Sequence, residues 1–126
     1  MAIAIPIGIP DSGPRLADIE ARRFVSPRGS SVFPTPARPV LLASTYEDAR
    51  LASVVASGKS LSRQAWAITD KIQEVDEWVQ SADCVVREGH PEVTFRAMAG
   101  APIEYYKKTV AGAVQRWELL RSNGIE

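Results

Sequence analysis

The chain has 126 residues, 45% of them hydrophobic, with 15 basic side chains against 15 acidic ones. Those proportions fit a single folded domain, exclude a disordered chain, and lack the basic excess of a general nucleic-acid glue. One Cys excludes a disulfide framework and a multi-cysteine zinc cluster. The apolar opening has no basic start, and no later apolar run approaches the ~18 residues of a membrane span. A cytoplasmic protein with no membrane segment is therefore expected.

Residues 2–7 read as a short apolar strand, with Pro6 confining it to an edge because proline cannot donate to a ladder. Asp11-Ser-Gly-Pro14 is turn chemistry. Arg15 to Phe24 read as a helix, with Asp18 and Arg22 spaced as an i, i+4 pair. Ser26 to Pro39 hold prolines at 27, 34, 36 and 39, so no regular element is expected there. A Pro-rich functional loop or extended arm over 26–39 is predicted. Ser44-Thr-Tyr-Glu47 has capping-box spacing and starts a helix that ends near Gly58.

The most regular pattern is Leu61, Ala65, Ile68, Ile72, Val75 and Val79, stepping by four and three along one helical face from about Ser62 to Gln80. Gln64, Lys71, Glu74 and Trp78 flank that stripe, while Thr69, Asp70, Gln73 and Glu77 face away. A solvated rim beside a core helix accounts for such a flank. Asp83 to Glu88 read as a strand, with Cys84 a structural thiol inside it. Val86 and Glu88 fall on one face, Val85 and Arg87 on the other. Pro91 suits the first turn of a helix closed by Gly100. A last helix starts near Thr109, with Val110, Val114, Trp117 and Leu120 on its apolar side. Strands and helices in this order indicate α/β.

Charge is uneven along the chain. Residues 1–40 carry five arginines against three acidic groups, and residues 41–86 carry four basic against seven acidic. Two clusters have chemical potential. Glu88-Gly-His-Pro-Glu92 puts carboxylates and an imidazole between a strand end and a helix start, where open α/β sheets place ligand sites and where hard or borderline metals find donors. The alternative is that Glu92 favours the positive helix N-terminus while His90 caps it. Ser26 to Phe33 offer Arg28, Ser30, Ser31 and backbone amides that could hold phosphate, with Arg15, Arg22 and Arg23 upstream. The alternative there is a solvated basic loop. Lys107-Lys108 reads as ordinary surface.

Seven motifs occur in order: Ile5-Pro-Ile-Gly-Ile-Pro10, Arg15-x-x-Asp18-x-x-Ala21-Arg22, Ser30-Ser-Val-Phe-Pro34, Leu61-Ser-Arg-Gln64, Lys71-Ile-x-Glu74-Val-Asp76, Glu88-x-His90-Pro-Glu92-x-x-Phe95, and Lys107-Lys-Thr109 with Gly112 and Arg116. In this order and spacing the chain resembles the bacterial family called domain of unknown function 429, predicted nucleases with an RNase H-like fold. The resemblance implies metal-dependent phosphodiester hydrolysis with Mg²⁺ or Mn²⁺. It makes Glu88 a metal ligand and catalytic residue, with Glu92 and His90 auxiliary to it. Arg15, Arg22, Arg28, Ser30 and Ser31 would contact phosphate, and Gln64, Lys71 and Glu74 would line the cleft.

The chain departs from the family pattern at Ala4, which stands where an aspartate is expected. The family's first strands would precede Met1 and its last helix would follow Gly124. The expected architecture is thus a truncated RNase H-like fold, one domain over 1–126, with a short sheet packed by several helices. The alternative function is a catalytically degenerate module that binds nucleic acid or protein. A second copy, a complementing chain or the 26–39 arm is expected to cover the edge of strand 2–7.

Overall fold

The computed structural model describes residues 1–125. It is α/β and mostly helical, with one short parallel sheet of two strands. In chain order come β1 (Ala2–Ile3), α1 (Leu16–Phe24), α2 (Arg38–Leu41), α3 (Tyr46–Ser57), α4 (Arg63–Trp66), α5 (Thr69–Val79), β2 (Arg87–Glu88), α6 (Pro91–Ala99) and α7 (Val110–Ser122). The chain divides into two compact units. The first comprises Met1–Ile19 and Phe33–Gly89, the second Glu20–Val32 and His90–Glu126.

In the first unit β1 and β2 pair in parallel, Ala2 opposite Arg87 and Ile3 opposite Glu88. Arg87 N donates to Met1 O and Gly89 N to Ile3 O, each at 2.9 Å. Both strands are much shorter than the sequence pattern suggests. Past Ile3 the chain bends, Pro6 has no N–H to give, and Ile7 N donates to the Glu88 side chain instead of to a neighbouring backbone. Residues 83–86 lie outside the strand, and Cys84 is exposed rather than buried.

The expected long helix over 62–80 is two helices, α4 and α5, broken at Ala67–Ile68. The Thr69 hydroxyl donates to Trp66 O at 2.8 Å, and Ile68 N reaches back three residues to Ala65 O. That local bond turns Thr69 inward, so it is buried rather than facing away. The stripe itself holds. Leu61, Ala65, Ile72 and Val75 are buried, and Ile72 is fully enclosed.

Two apolar clusters form the core of this unit. Val40, Ala49, Leu61 and Ala65 pack with Phe33 and Trp66, while Ile9, Leu41 and Ile72 pack with Ile5 and Ile68. Each fully buried Val40 or Ile72 contributes about 1.5–3 kcal/mol. Segment 26–39 is more regular than its prolines suggest, since it contains a 3₁₀ turn at Gly29–Ser31 and the start of α2. Proline is tolerated in the first turn of α2, where its missing N–H would have no partner. α3 is capped by Thr45, one residue later than the capping-box spacing implies. Thr45 Oγ1 accepts from Asp48 N at 3.2 Å, and Gly58 closes the helix at φ 72°.

In the second unit α6 packs on α7, and Val25, Val32 and Ile103 are buried. Thr109 caps α7 through Gly112 N. The apolar side of α7 is open rather than buried: Val110, Val114 and Trp117 are all exposed.

Candidate functional site

In the first unit two carboxylates, Asp18 and Glu88, converge on Arg15. Pro14 leads into the start of α1, and Asp18 sits in that helix's first turn, where a carboxylate faces the positive end of the dipole. Asp18 is 5% exposed. Arg15 Nε and Nη2 donate to Asp18 Oδ1 at 3.2 and 2.5 Å, and Thr35 N donates to Asp18 Oδ2 at 2.8 Å. Glu88, at the end of β2, takes Arg15 Nη1 on Oε2 at 2.6 Å and Nη2 on Oε1 at 2.8 Å. Its Oε2 also accepts from Ile7 N at 2.9 Å. Arg15 Nη1 completes the set by donating to Ile7 O at 2.6 Å.

A guanidinium has five N–H donors, and every one of Arg15's is spent within this cluster. Burial opposes the charge on Arg15, but the hydrogen bonds to Glu88 and then Asp18 outweigh it and hold its pKa above the ordinary guanidinium range. Asp18 therefore pairs with Arg15, not with Arg22, whose Nη1 donates to Val32 O at 2.5 Å. Spacing alone allows either partner.

In the second unit His90 caps α6. Its Nδ1 accepts from Glu92 N at 3.2 Å, which leaves the proton on Nε2, facing Ser31 O at 3.2 Å. Both ring nitrogens are thus engaged. Glu92 is 4% exposed and accepts from Arg116 Nε at 3.1 Å and Nη2 at 2.8 Å. Arg116 Nη1 also donates to Gly112 O and Tyr105 O. Gly112 is required here, because a Cβ would lie 2.0 Å from Tyr106 O. Sequence reasoning lists Gly112 and Arg116 only as motif positions. No local pattern links Arg116 to a carboxylate 24 residues earlier.

The remaining sequence candidates divide between the units. Arg28 Nη2 donates to Glu104 O at 2.5 Å, and its guanidinium lies 5.8 Å from the centre of the Tyr106 ring. Arg96, which sequence reading passes over, lies 4.9 Å from the centre of the Phe24 ring. Ser30 is exposed and Ser31 half-buried. In the first unit Gln64, Lys71 and Glu74 are exposed, and Lys71 Nζ pairs with Glu74 Oε2 at 2.7 Å. None of these three lines a pocket of that unit formed by the 13–14, 34–37 and 59–62 segments with Ala65 and part of α3.

A pair of divalent ions needs several free oxygen donors from more than one segment. Ala4 supplies none, both Glu88 oxygens are held by Arg15, and both Glu92 oxygens by Arg116. Among the described residues no three His, Cys, Asp or Glu side chains come together to hold a metal ion. As arranged, the donor set does not fit a two-metal centre, and an ion would have to displace Arg15 to reach Glu88.

Among the described residues no helix is long and apolar enough to cross a membrane. A family model described as "Protein of unknown function (DUF429)" matches residues 1–125. No curated protein and no solved structure matches the chain.

Proposed function

The chain belongs to the DUF429 family, and we propose that this member is of RNase H-like descent and binds single-stranded nucleic acid through its second unit without cleaving it. The observation that carries this reading is the pairing of exposed aromatic rings with cations in that unit. Arg28 lies over Tyr106 and Arg96 over Phe24, with Lys107 and Lys108 directly following Tyr106. Phe24, Tyr105 and Tyr106 are each about two-fifths exposed (43%, 43% and 41%), enough ring to receive a base.

The unit holds eight basic against five acidic side chains, a balance of +3, while the first unit holds seven against ten. The neutral overall charge thus conceals a locally basic surface. Stacking on aromatic faces contributes ~1–3 kcal/mol per base and tolerates any sequence, while lysine and arginine follow the phosphates. Arg22, Arg28, Ser30 and Ser31 belong to this unit and serve as its phosphate contacts. Arg15 serves the carboxylates instead. Hydrolysis is not assigned, because Glu88 reaches no metal while Arg15 holds it.

Fluorescence anisotropy with a short labelled single strand tests the proposal, in EDTA and again with Mg²⁺ or Mn²⁺. Saturable binding in EDTA is expected, weakening as salt rises and falling about tenfold or more in Tyr106→Ala combined with Lys107→Gln and Lys108→Gln. No binding at low salt would overturn it. Metal-dependent cleavage that vanishes in Glu88→Gln would replace it with nuclease chemistry.

A further inference from the structure

A pocket of the first unit has a volume of about 190 Å³, and its walls are chiefly apolar, including Pro14, Pro34, Pro36, Ala37 and Leu61. Ser53 and Ser57 in its wall already donate their hydroxyl hydrogens to Lys59 O and Ser53 O, whereas three other polar groups keep a donor free. Lys59 lines it and, among the described residues, forms no ion pair. Ser62 Oγ accepts from Ala65 N, which leaves the hydroxyl's own hydrogen unclaimed. Thr35 is 5% exposed, and its hydroxyl oxygen is buried with no hydrogen-bond partner. An unmet buried hydroxyl is costly, and a bound ligand is one way for a native fold to meet it. No Asp or Glu lines the pocket, although the unit around it carries an acidic excess.

We infer that this pocket binds a small organic monocarboxylate with a compact apolar body. One ammonium balances one negative charge. A dianion such as a phosphate monoester would leave a charge uncompensated against apolar walls. The free hydroxyl donors of Thr35 and Ser62 supply hydrogen bonds that an anionic acceptor can take, and the small volume limits the body to a single ring or a short branched chain. This site is independent of the proposed nucleic-acid surface, since every residue in it belongs to the first unit.

The test is an amide NMR titration of the full chain with benzoate and 3-methylbutanoate, using benzamide as the neutral isostere. Saturable shifts at Gly13, Ser60 and Ala65 are expected, with a dissociation constant of about 1 mM or tighter and at least about tenfold weaker binding of benzamide. Lys59→Met changes an exposed side chain, so the fold survives, and benzoate binding should fall about tenfold. Thr35→Val should weaken benzoate binding while raising the urea midpoint, because it removes the unmet hydroxyl and keeps the backbone bond to Asp18. Absence of saturable shifts with either carboxylate would overturn the inference. So would equal affinity for benzoate and benzamide, or unchanged benzoate affinity in both variants.

Discussion

Arg116 holds one buried carboxylate, and Arg15 holds one that is buried and one that water reaches. The Arg116–Glu92 pair is balanced in charge, bidentate, and enclosed on both sides, with side chains 10% and 5% exposed. The Arg15 cluster carries one negative charge in excess, and its second carboxylate, Glu88, is 29% exposed. The enclosed pair depends entirely on its partner, because neither member can turn to water. The Arg15 cluster joins the 7–18 region to the end of β2 and leaves its surplus charge on the member that water reaches. A matched pair thus acts as a fastening within one core. The unmatched cluster holds three segments together with a guanidinium that has no donor left for a ligand.

The contrast predicts unequal penalties. Arg116→Met strands the Glu92 carboxylate and should cost about 3–5 kcal/mol in urea denaturation. The double change with Glu92→Met should recover most of that loss. A single-variant cost under about 1 kcal/mol would mean that the pair is not enclosed. Arg15→Met should cost less, about 2 kcal/mol, because the buried Asp18 keeps its bond from Thr35 N while Glu88 can rehydrate. Adding Asp18→Asn should return part of it by removing one of two like charges left facing each other.

Titration separates the groups further. The folded pKa of Arg15 lies above its unfolded value, so its contribution is intact below the ordinary guanidinium range and is lost only as pH rises through the folded value. Raising the pH through the lysine range should therefore leave the Arg15-dependent difference between wild type and Arg15→Met unchanged. Tyr105 gives the smallest effect. Its hydrogen bond to Glu104, and then that carboxylate's charge, raise its pKa above the ordinary phenol value. In ultraviolet titration Tyr105 should ionise above the ordinary phenol value, and Glu104→Gln should bring it back toward that value.

Local chemistry was readable in the sequence. Pro91 and His90 at the start of α6, Gly100 at its end, Gly58 after α3 and Thr109 before α7 all stand where their residue types direct. Each acts on backbone groups within a few positions. The strands were not readable at their true length, since an apolar run reports burial and not whether a partner strand continues alongside. The break in 62–80 is accompanied by a bond from the Thr69 hydroxyl to Trp66 O, a contact that periodicity does not register. The site was readable only in part. Glu88, Arg15 and Asp18 each stand out as motif residues, but the bond between Arg15 and Glu88 spans 73 positions and Glu92–Arg116 spans 24. Pairings at that separation leave no periodic trace.

Arg15 holds both oxygens of Glu88 and one of Asp18, so a metal ion must displace it to reach either carboxylate fully. A Mn²⁺ titration followed by amide relaxation measures this directly. No saturable, localised broadening is expected at Ile7, Glu88 and Gly89 in the wild-type chain into the millimolar range. Saturable broadening at those three amides, abolished by Glu88→Gln, would contradict it.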